Sequence, residues 1–373
     1  MRILHILPGL GAAGAETFVR NLCLGLQGDD EITQEIAIST LPEQFYEPEL
    51  RQAGIVIHRT AEFSGFRGLW AHLQQLFRLL RSAGKAGQAY DAVHCHMDYL
   101  NGCNLFAAWL AGAPRRICHS HIAVSQAQQP SYAARMYRAV MRRWIRRFAT
   151  DCCACSPEAG SSMFPWLRAP VVLPNGISLV RFTEALADPS LPQRKQAELA
   201  LPAKAKLLIT AARISEQKNP LFLVDVLAET VRRCPEALLL WCGTGNLEPQ
   251  VRTRIAALGL EDHVRFLGSR RDMPELLALA ECFLLPSRWE GSPLVLAEAQ
   301  AAALPCMVSD QVSRFADAGG CRFLPLEIGA AGWAEAIAQG LRNGFPEKVD
   351  AVRLRRFDIG ETCRLYASLL LEG

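Results

Sequence analysis

No run of 18 apolar residues occurs in the 373-residue chain, so nothing in the sequence reads as a membrane-spanning helix. The start, Met1-Arg2-Ile3-Leu4-His5-Ile6-Leu7-Pro8, lacks the length and small-residue cleavage site of a secretory signal. Net charge is scarce as well. Forty basic against 37 acidic residues leave +3, a global field too weak for a nucleic-acid binder. Low-complexity segments and short repeats are missing. Cysteine is not scarce, but its thirteen copies are an odd number. Several, such as Cys23, Cys242 and Cys306, sit in apolar surroundings, and Cys152, Cys153 and Cys155 share one strand-like run. Together these features lead us to expect reduced core thiols in a cytoplasmic protein.

What is present is ordinary globular material, 50% hydrophobic and 21% charged, with length enough for two domains. Apolar β-type runs alternate with helical patterns throughout, the signature of βαβ units and parallel sheets. In the first half, residues 2–8, 32–39, 55–59, 89–96, 115–121, 150–156 and 170–173 read as strands. Helical periodicity covers 17–26, 68–81 and 131–148. The polar, proline-containing segment 178–202 reads as irregular, and the domain boundary is placed there. Strands resume at 206–212, 237–242, 263–267, 281–286 and 305–308, with a helix over 220–234. The expected domains are 1–180 and 181–357, with a final helix in 358–373 packing back on the first.

The richest stretch is Trp289-Glu290-Gly291-Ser292-Pro293-Leu294-Val295-Leu296-Ala297-Glu298. Pro293 suits the first turn of a helix, where its missing N–H costs nothing. Glu290 then precedes that helix, and Glu298 lies about two turns inside it. The amides of residues 292–296 form an anion cradle, and the two carboxylates offer acceptors to sugar hydroxyls. A solvated glutamate pair has the same spacing, so the stretch needs company.

In an open α/β sheet the ligand crevice lies outside the carboxyl ends of the strands. Several groups should gather there. After the first strand comes Gly9-Leu10-Gly11-Ala12-Ala13-Gly14-Ala15-Glu16. Its glycines fit G-x-G-x-x-G, yet no acidic residue clearly ends a second strand some 20 residues on, as a dinucleotide site requires. His94 and His96 end one strand; His119 and His121 end another. Satisfied core histidines, a sugar contact or a general base all fit this placement, and spacing does not specify a metal site. In the second half, Arg213 and Lys218 flank a strand-to-helix loop, and Gly243 and Gly245 permit close backbone approach. With the 292–296 amides they suit a diphosphate.

One helix carries uneven charge. Over 131–148, Tyr137, Val140, Met141, Trp144 and Phe148 form an apolar stripe assigned to the core. Arg135, Arg138, Arg142, Arg143, Arg146 and Arg147 form either a solvated basic face or a contact to anionic lipid headgroups.

Taken in order, Gly11–Glu16, Leu173-Pro174-Asn175-Gly176, Arg213…Lys218-Asn219, Gly243-Thr244-Gly245, Phe266-Leu267-Gly268 and the E-x7-E from Glu290 to Glu298 resemble the GT-B glycosyltransferases, specifically the retaining glycosyltransferase family 4. The likeness covers nearly the whole chain and is nearest to members that build capsular or exopolysaccharide. It implies an α/β fold of two Rossmann-like, doubly wound domains facing a central cleft. The first domain would bind the acceptor and the second the nucleotide-sugar donor. Arg213 and Lys218 would hold the donor diphosphate, and the Leu294 and Val295 amides, next to Ser292, would meet phosphate. Glu298 would accept from the ribose, Glu290 would contact the transferred sugar, and backbone near Phe266 and Gly268 would hold the base. Gly11 and Gly14 would approach the donor, although Ala15 stands where a second glycine is common. His121 matches the family's active-site histidine, with His119 its close competitor. Glu16, His94, His96 and Asn175 would be secondary or acceptor-side groups.

No D-x-D pair is present to hold a divalent ion, so no metal and no cofactor is expected, and Arg213 and Lys218 take the metal's part. The expected partners are a nucleotide sugar, of UDP type, and a glycan acceptor carried on polyprenyl diphosphate. The 131–148 helix would meet an anionic membrane surface, and no nucleic acid is involved. The competing readings are a nucleotide-sugar-binding subunit without catalysis and an epimerase of the same fold.

Overall fold

Residues 3–7, Ile-Leu-His-Ile-Leu, are all inaccessible to solvent, a continuous burial that marks a central parallel strand covered on both faces. The computed structural model describes residues 1–29, 31–121 and 131–371, and the chain divides into two compact units. Unit 1 is Met1–Gly176 together with Ile359–Gly373; unit 2 is Ile177–Asp358.

Unit 1 is built on β1 (Arg2–Leu7), β2 (Thr33–Ile38), β3 (Val56–Arg59), β4 (Ala92–Cys95), β5 (Arg115–Ser120), β6 (Asp151–Ala154) and β7 (Val171–Val172). All pair in parallel, in the order β3-β2-β1-β4-β5-β6-β7. Unit 2 holds β8 (Lys206–Ala211), β9 (Ala237–Cys242), β10 (Val264–Gly268), β11 (Cys282–Leu285), β12 (Cys306–Ser309) and β13 (Cys321–Leu324). These also pair in parallel, in the order β10-β9-β8-β11-β12-β13. In both sheets the chain starts near the middle, runs to one edge, then returns to the centre and fills the other side. Both units are therefore doubly wound, Rossmann-like sheets, as the alternation of patterns requires.

The last helix, Ile359–Leu371, packs in unit 1 along the helix Gly14–Gly25. Tyr366 and Leu370 are buried there, and a Cβ at Gly25 would stand only 2.8 Å from Cys363 Sγ, so glycine is what lets the helices approach. Arg115 holds the helix end by donating to the carbonyls of Leu369 and Leu370, while pairing with Asp151 at 2.8 Å. A cation at a helix carboxyl end also opposes the helix dipole. The thirteen cysteines are all free thiols.

Three local expectations are corrected. Residues 178–202 are not irregular. They form helices Leu179–Ala187 and Leu191–Glu198, and the chain passes between units just before them, at Gly176 and Ile177. The segment looked polar because each helix buries little: Phe182 and Ala185 in one, Leu191 and Lys195 in the other. Lys195 can be buried because Asp272 and Glu275 take its charge at 2.5 and 2.9 Å. The edge strand β13 was not expected; its run Cys-Arg-Phe-Leu is half-exposed and only four residues long. The helix Tyr132–Phe148, capped by Ser131, buries only Met141 and Ile145. Tyr137 and Val140, assigned to the core, are 46% and 43% exposed. Trp144 and Phe148 do pack inward, against Phe106.

Candidate active site

A doubly wound sheet opens a crevice where neighbouring strands send their following loops in opposite directions. In unit 2 that point lies between β8 and β11, and in unit 1 between β1 and β4.

In unit 2 the loop after β8 carries Arg213 and Lys218, and the loop after β11 carries Glu290. The two loops are tied together. Arg288 N donates to Gln217 O at 2.8 Å, and Gln217 Nε2 donates to Trp289 O at 3.1 Å. Lys218 closes a short 3-10 turn, and Asn219, in the left-handed region at φ 53°, turns the chain into the helix Pro220–Arg233. The outcome is an ion pair: Lys218 Nζ stands 2.5 Å from Glu290 Oε1. That oxygen has no well-angled hydrogen bond, so charge rather than directed bonding holds the pair. Both side chains are largely buried, at 18% and 9% exposure, whereas Arg213 is exposed. Lys218 is thus not the solvent-facing cation that its sequence position implies.

Gly243 and Gly245 have an internal reason to be glycine. Gly243 sits at φ 121°, and a Cβ there would lie 2.2 Å from Ala212 O; at Gly245 it would lie 2.2 Å from Ile214 O. Their backbones press against the loop that bears Arg213 and so fix its course. Gly268, at φ 63°, accepts from Gly243 N at 2.7 Å. The Phe266 ring stacks on Trp241 at 5.6 Å and lies under Arg252 at 4.0 Å.

The helix after Glu290 spans Leu294–Ala301. Pro293 is its cap, with extended ψ of 116°, not its first residue, so Glu298 is little more than one turn inside rather than two. The expected amide cradle also narrows. Leu296 N already donates to Pro293 O at 3.0 Å, and proline has no N–H, which narrows the candidate cradle toward the Leu294 and Val295 amides. Two residues past β11, the buried Ser287 hydroxyl has no partner, a group the sequence reading passed over.

In unit 1 the helix Gly14–Gly25 opens after the glycine turn. Gly11 and Gly14 are not in the left-handed region, and a Cβ at Gly14 would meet nothing within 4 Å, so open space lies over the turn. Glu16 occupies the first turn of that helix. Asn175 is buried, and its neighbour Gly176 is locked: its carbonyl accepts from Asn21 at 2.7 Å, and a Cβ would lie 2.5 Å from Thr362 Oγ1.

The structure brings His94, His96, His119 and His121 together, and adds His5 from β1, which sequence reasoning missed. Alternation explains the omission. His5 looks like an anomaly in an apolar strand until its register partner is known to be His94. The rings form two hydrogen-bonded chains. In one, Gln34 Oε1 meets His5 Nε2 at 3.1 Å, His5 Nδ1 meets His96 Nε2 at 3.2 Å, and His96 Nδ1 meets His121 Nε2 at 2.9 Å. In the other, Tyr366 Oη meets His94 Nδ1 at 3.1 Å and His94 Nε2 meets His119 Nδ1 at 3.3 Å. Phe18 covers His119 and His121, with ring centroids 4.7 and 5.4 Å away. Burial keeps every ring neutral. It pushes His5 down to about 4 and His121 to about 3, and holds His94, His96 and His119 well below the usual range. His5–His94–His96, His94–His119–Cys153 and His96–His119–His121 each place three metal-type donor atoms within 4.8 Å, but most of these nitrogens already serve one another as hydrogen-bond partners.

Beside the cluster lies a second overlooked group, Asp98, held in the left-handed region at φ 49°. Its carboxyl accepts from the His121 backbone N–H, yet burial dominates and pushes its pKa up to about 6. Its Oδ1 has no partner. Nothing in the sequence distinguished Asp98 from a loop aspartate, since its backbone conformation and burial appear only in the fold.

Comparison with known proteins covers both units. The family described as "Glycosyl transferase 4-like domain" matches residues 13–176, and "Glycosyl transferases group 1" matches residues 193–320. The chain is 31% identical to EpsF of Bacillus subtilis (strain 168), a protein named as a glycosyltransferase, over 93% of this chain and 89% of that one. It is 27% identical, over 64% of its length and 61% of the relative, to the UDP-Gal:alpha-D-GlcNAc-diphosphoundecaprenol alpha-1,3-galactosyltransferase of Escherichia coli. Among solved structures, Anabaena HepE in complex with UDP and glucose superposes with a TM-score of 0.82 at 18% identity, each chain covered in full. The glycosyltransferase WaaG superposes at 0.70 with 16% identity, over 99% of this chain and 98% of that one. A relative of this similarity along nearly the whole chain, on two sheets of this winding, places the protein among the GT-B glycosyltransferases of family 4 type.

Proposed function

We propose that this glycosyltransferase of glycan synthesis moves a hexose, with retention and without a metal ion, from a UDP-type nucleotide sugar to a hydroxyl of a polyprenyl-diphosphate-linked glycan, acting as a peripheral protein on the cytoplasmic side of the membrane. The observation that carries this reading is the Lys218–Glu290 pair at the crevice of unit 2. Cleaving a sugar–phosphate bond develops negative charge on the departing diphosphate and positive charge on the sugar. Lys218, Arg213 and the amides of Leu294 and Val295 answer the first charge. Glu290 answers the second, once the diphosphate has taken Lys218 from it. Preorganised charge of this kind is worth roughly 3–4 kcal/mol per good contact. A retaining hydrolase uses a carboxylate nucleophile. Here we assign Glu290 to stabilising the charge on the sugar rather than to bonding with it, and attack to the acceptor hydroxyl, on the face the diphosphate leaves.

The relatives support the donor and acceptor classes. HepE has been solved with UDP and glucose, and the Escherichia coli relative bears a UDP-galactose donor and a diphosphoundecaprenol-linked acceptor in its name. The test is transfer by the purified chain from a panel of nucleotide sugars to a polyprenyl-diphosphate glycan, with the anomeric configuration of the product read by NMR. Transfer should continue in the presence of a chelator. Inactivation that a divalent ion reverses would remove the metal-free part of the proposal, and absence of transfer from every donor would remove all of it.

A further inference from the structure

The chain from Gln34 to His121 has only one self-consistent set of proton positions. Gln34 Oε1 can accept but not donate, and its amide is oriented by its own Nε2, which reaches Cys23 O at 3.5 Å. His5 Nε2, 3.1 Å from that oxygen, must therefore carry a proton. A neutral imidazole holds one proton only, so His5 Nδ1 is bare and accepts from His96 Nε2–H at 3.2 Å. By the same step His96 Nδ1 is bare and accepts from His121 Nε2–H at 2.9 Å. His121 Nδ1 is then bare as well. It is indeed the one end of the chain with no partner, and it is shut off from solvent. An orphaned acceptor is better tolerated in a protein interior than an orphaned N–H, which agrees with this direction and opposes its reverse.

We propose that Gln34, acting through His5 and His96, locks His121 in the tautomer that carries its proton on Nε2, so that Nδ1 accepts a hydrogen bond from a ligand hydroxyl and can never donate one. Gln34, His5 and His96 are positioning residues; they sit behind His121 and touch nothing that reacts. The consequence for ligand choice rests on the reading of His121 as the group that meets the transferred sugar. A neutral sugar presenting a hydroxyl at that point is accepted. A sugar presenting a carboxylate there, as a uronic acid does, meets a lone pair and is refused. The neighbouring Tyr366–His94–His119 chain has no such lock. A phenol hydroxyl serves as donor or acceptor, so nothing at that end fixes the direction; only the buried His119 Nε2, which has no partner, favours the proton on His119 Nδ1.

Two-bond 15N–1H correlation spectra of the full chain, labelled at its histidine nitrogens, read the tautomer of each of the eight histidines directly. In the wild type His121 should be protonated at Nε2 alone. Gln34→Met, which keeps the shape and removes the acceptor, should populate Nδ1–H forms of His5, His96 and His121 together. It should lower kcat about tenfold, the size of one reversed hydrogen bond, with little change in donor affinity. Gln34→Glu, still an acceptor, should restore both the tautomer and the rate. Nδ1–H at His121 in the wild type, or unchanged tautomers in Gln34→Met, overturns the proposal. So does zinc recovered at one equivalent per chain with these imidazoles as its ligands. The wild-type spectrum decides the matter even if the variants fail to fold. A spectrum as expected, combined with full transfer by His121→Ala, would keep the lock and discard the reading of His121 as the sugar contact.

Discussion

The two units wind their strands in the same order and open their crevices at equivalent points, yet they fill those points with opposite chemistry. Unit 1 gathers five neutral imidazoles into hydrogen-bonded chains, and unit 2 presents a lysine–glutamate pair with an exposed arginine nearby. Topology fixes where a ligand goes; the side chains decide what it is. An ion pair at a crevice is suited to exchanging one anion for another. A neutral cluster is suited to reading hydroxyl groups without drawing in charge.

Acid should separate the units most sharply. The five imidazoles have folded pKa values below the ordinary 6.5, because burial opposes their charging. Below about pH 6.5 the unfolded chain binds protons that the folded chain refuses, so stability falls as pH falls. The loss runs on until the folded groups themselves titrate, at about 4 for His5 and about 3 for His121. Each imidazole costs about 1.4 kcal/mol per pH unit in that window. Unit 2 has no such cluster among the described residues. Burial raises Asp272, but the Arg270 and Lys195 hydrogen bonds prevail and hold it at about 2, so its contribution is lost only below the ordinary carboxylate range. Hydrogen exchange at pH 7 and pH 5 should show β1, β4 and β5 opening far more readily in acid while β8, β9 and β11 hold. Equal loss in both units would break the comparison.

The next contrast lies in charge. Arg213→Ala and Lys218→Ala should each cut transfer by about 100-fold or more, by the size of a lost charge contact. Only the second should also lower Tm, because it leaves the Glu290 carboxylate, 9% exposed, without a countercharge. That penalty is about 1–2 kcal/mol for a pair still in touch with solvent. Lys218→Ala combined with Glu290→Gln should regain the stability and none of the transfer. Near-wild-type transfer by both single variants would end the diphosphate assignment.

On the imidazole side, His121→Ala should lose about 100-fold in transfer while donor affinity stays close to wild type, if its role is the sugar contact we propose. His119→Ala should be milder in rate. It is the more damaging in stability, at about 2–3 kcal/mol, since it empties a site with no solvent access. The reverse order of rates would hand the role to His119.

The periodic parts of both sheets were legible because buried parallel strands are unbroken apolar runs. Ala237–Cys242 was bounded to the residue, whereas β13 was lost because an edge strand buries too little to show a pattern. The candidate site was legible as residue types at strand ends. What could not be read was partnership. That Glu290 neutralises Lys218, that His5 joins four later histidines, and that a carboxyl oxygen of Asp98 is buried on a strained backbone all depend on residues distant in sequence. Gly243 and Gly245 were read as places of close backbone approach to a ligand, whereas the tight contacts the structure shows there are with the protein's own backbone at Ala212 and Ile214.

The smallest expected effect belongs to the surface of unit 1. Among the described residues no helix is long and apolar enough to cross a membrane. The helix Tyr132–Phe148 now offers more than the basic face first considered. Arg135, Arg143, Arg146 and Arg147 are exposed, and so are Tyr132, Met136, Tyr137 and Val140 on its first turns. Arg142 is not available, since it donates to Tyr99 Oη at 3.0 Å and Ser162 O at 2.7 Å, and Arg138 lies over the Tyr99 ring. A charge-reversal test should therefore use Arg135, Arg143 and Arg146 changed to Glu, not a set that includes Arg142, whose loss would damage the fold. Each arginine near an anionic surface contributes about 1 kcal/mol, so two engaged at once give about 30-fold in vesicle partition. The exposed apolar groups add a part that salt does not screen. The wild-type chain should pellet with anionic vesicles at low salt and largely, though not wholly, leave them at high salt. The triple variant should lose the salt-sensitive part, and Met136→Asp with Val140→Asp the remainder, while transfer to a soluble acceptor analogue persists in both. Equal pelleting with neutral and anionic vesicles, or a triple variant that binds as the wild type does, would return this helix to the status of ordinary solvated surface.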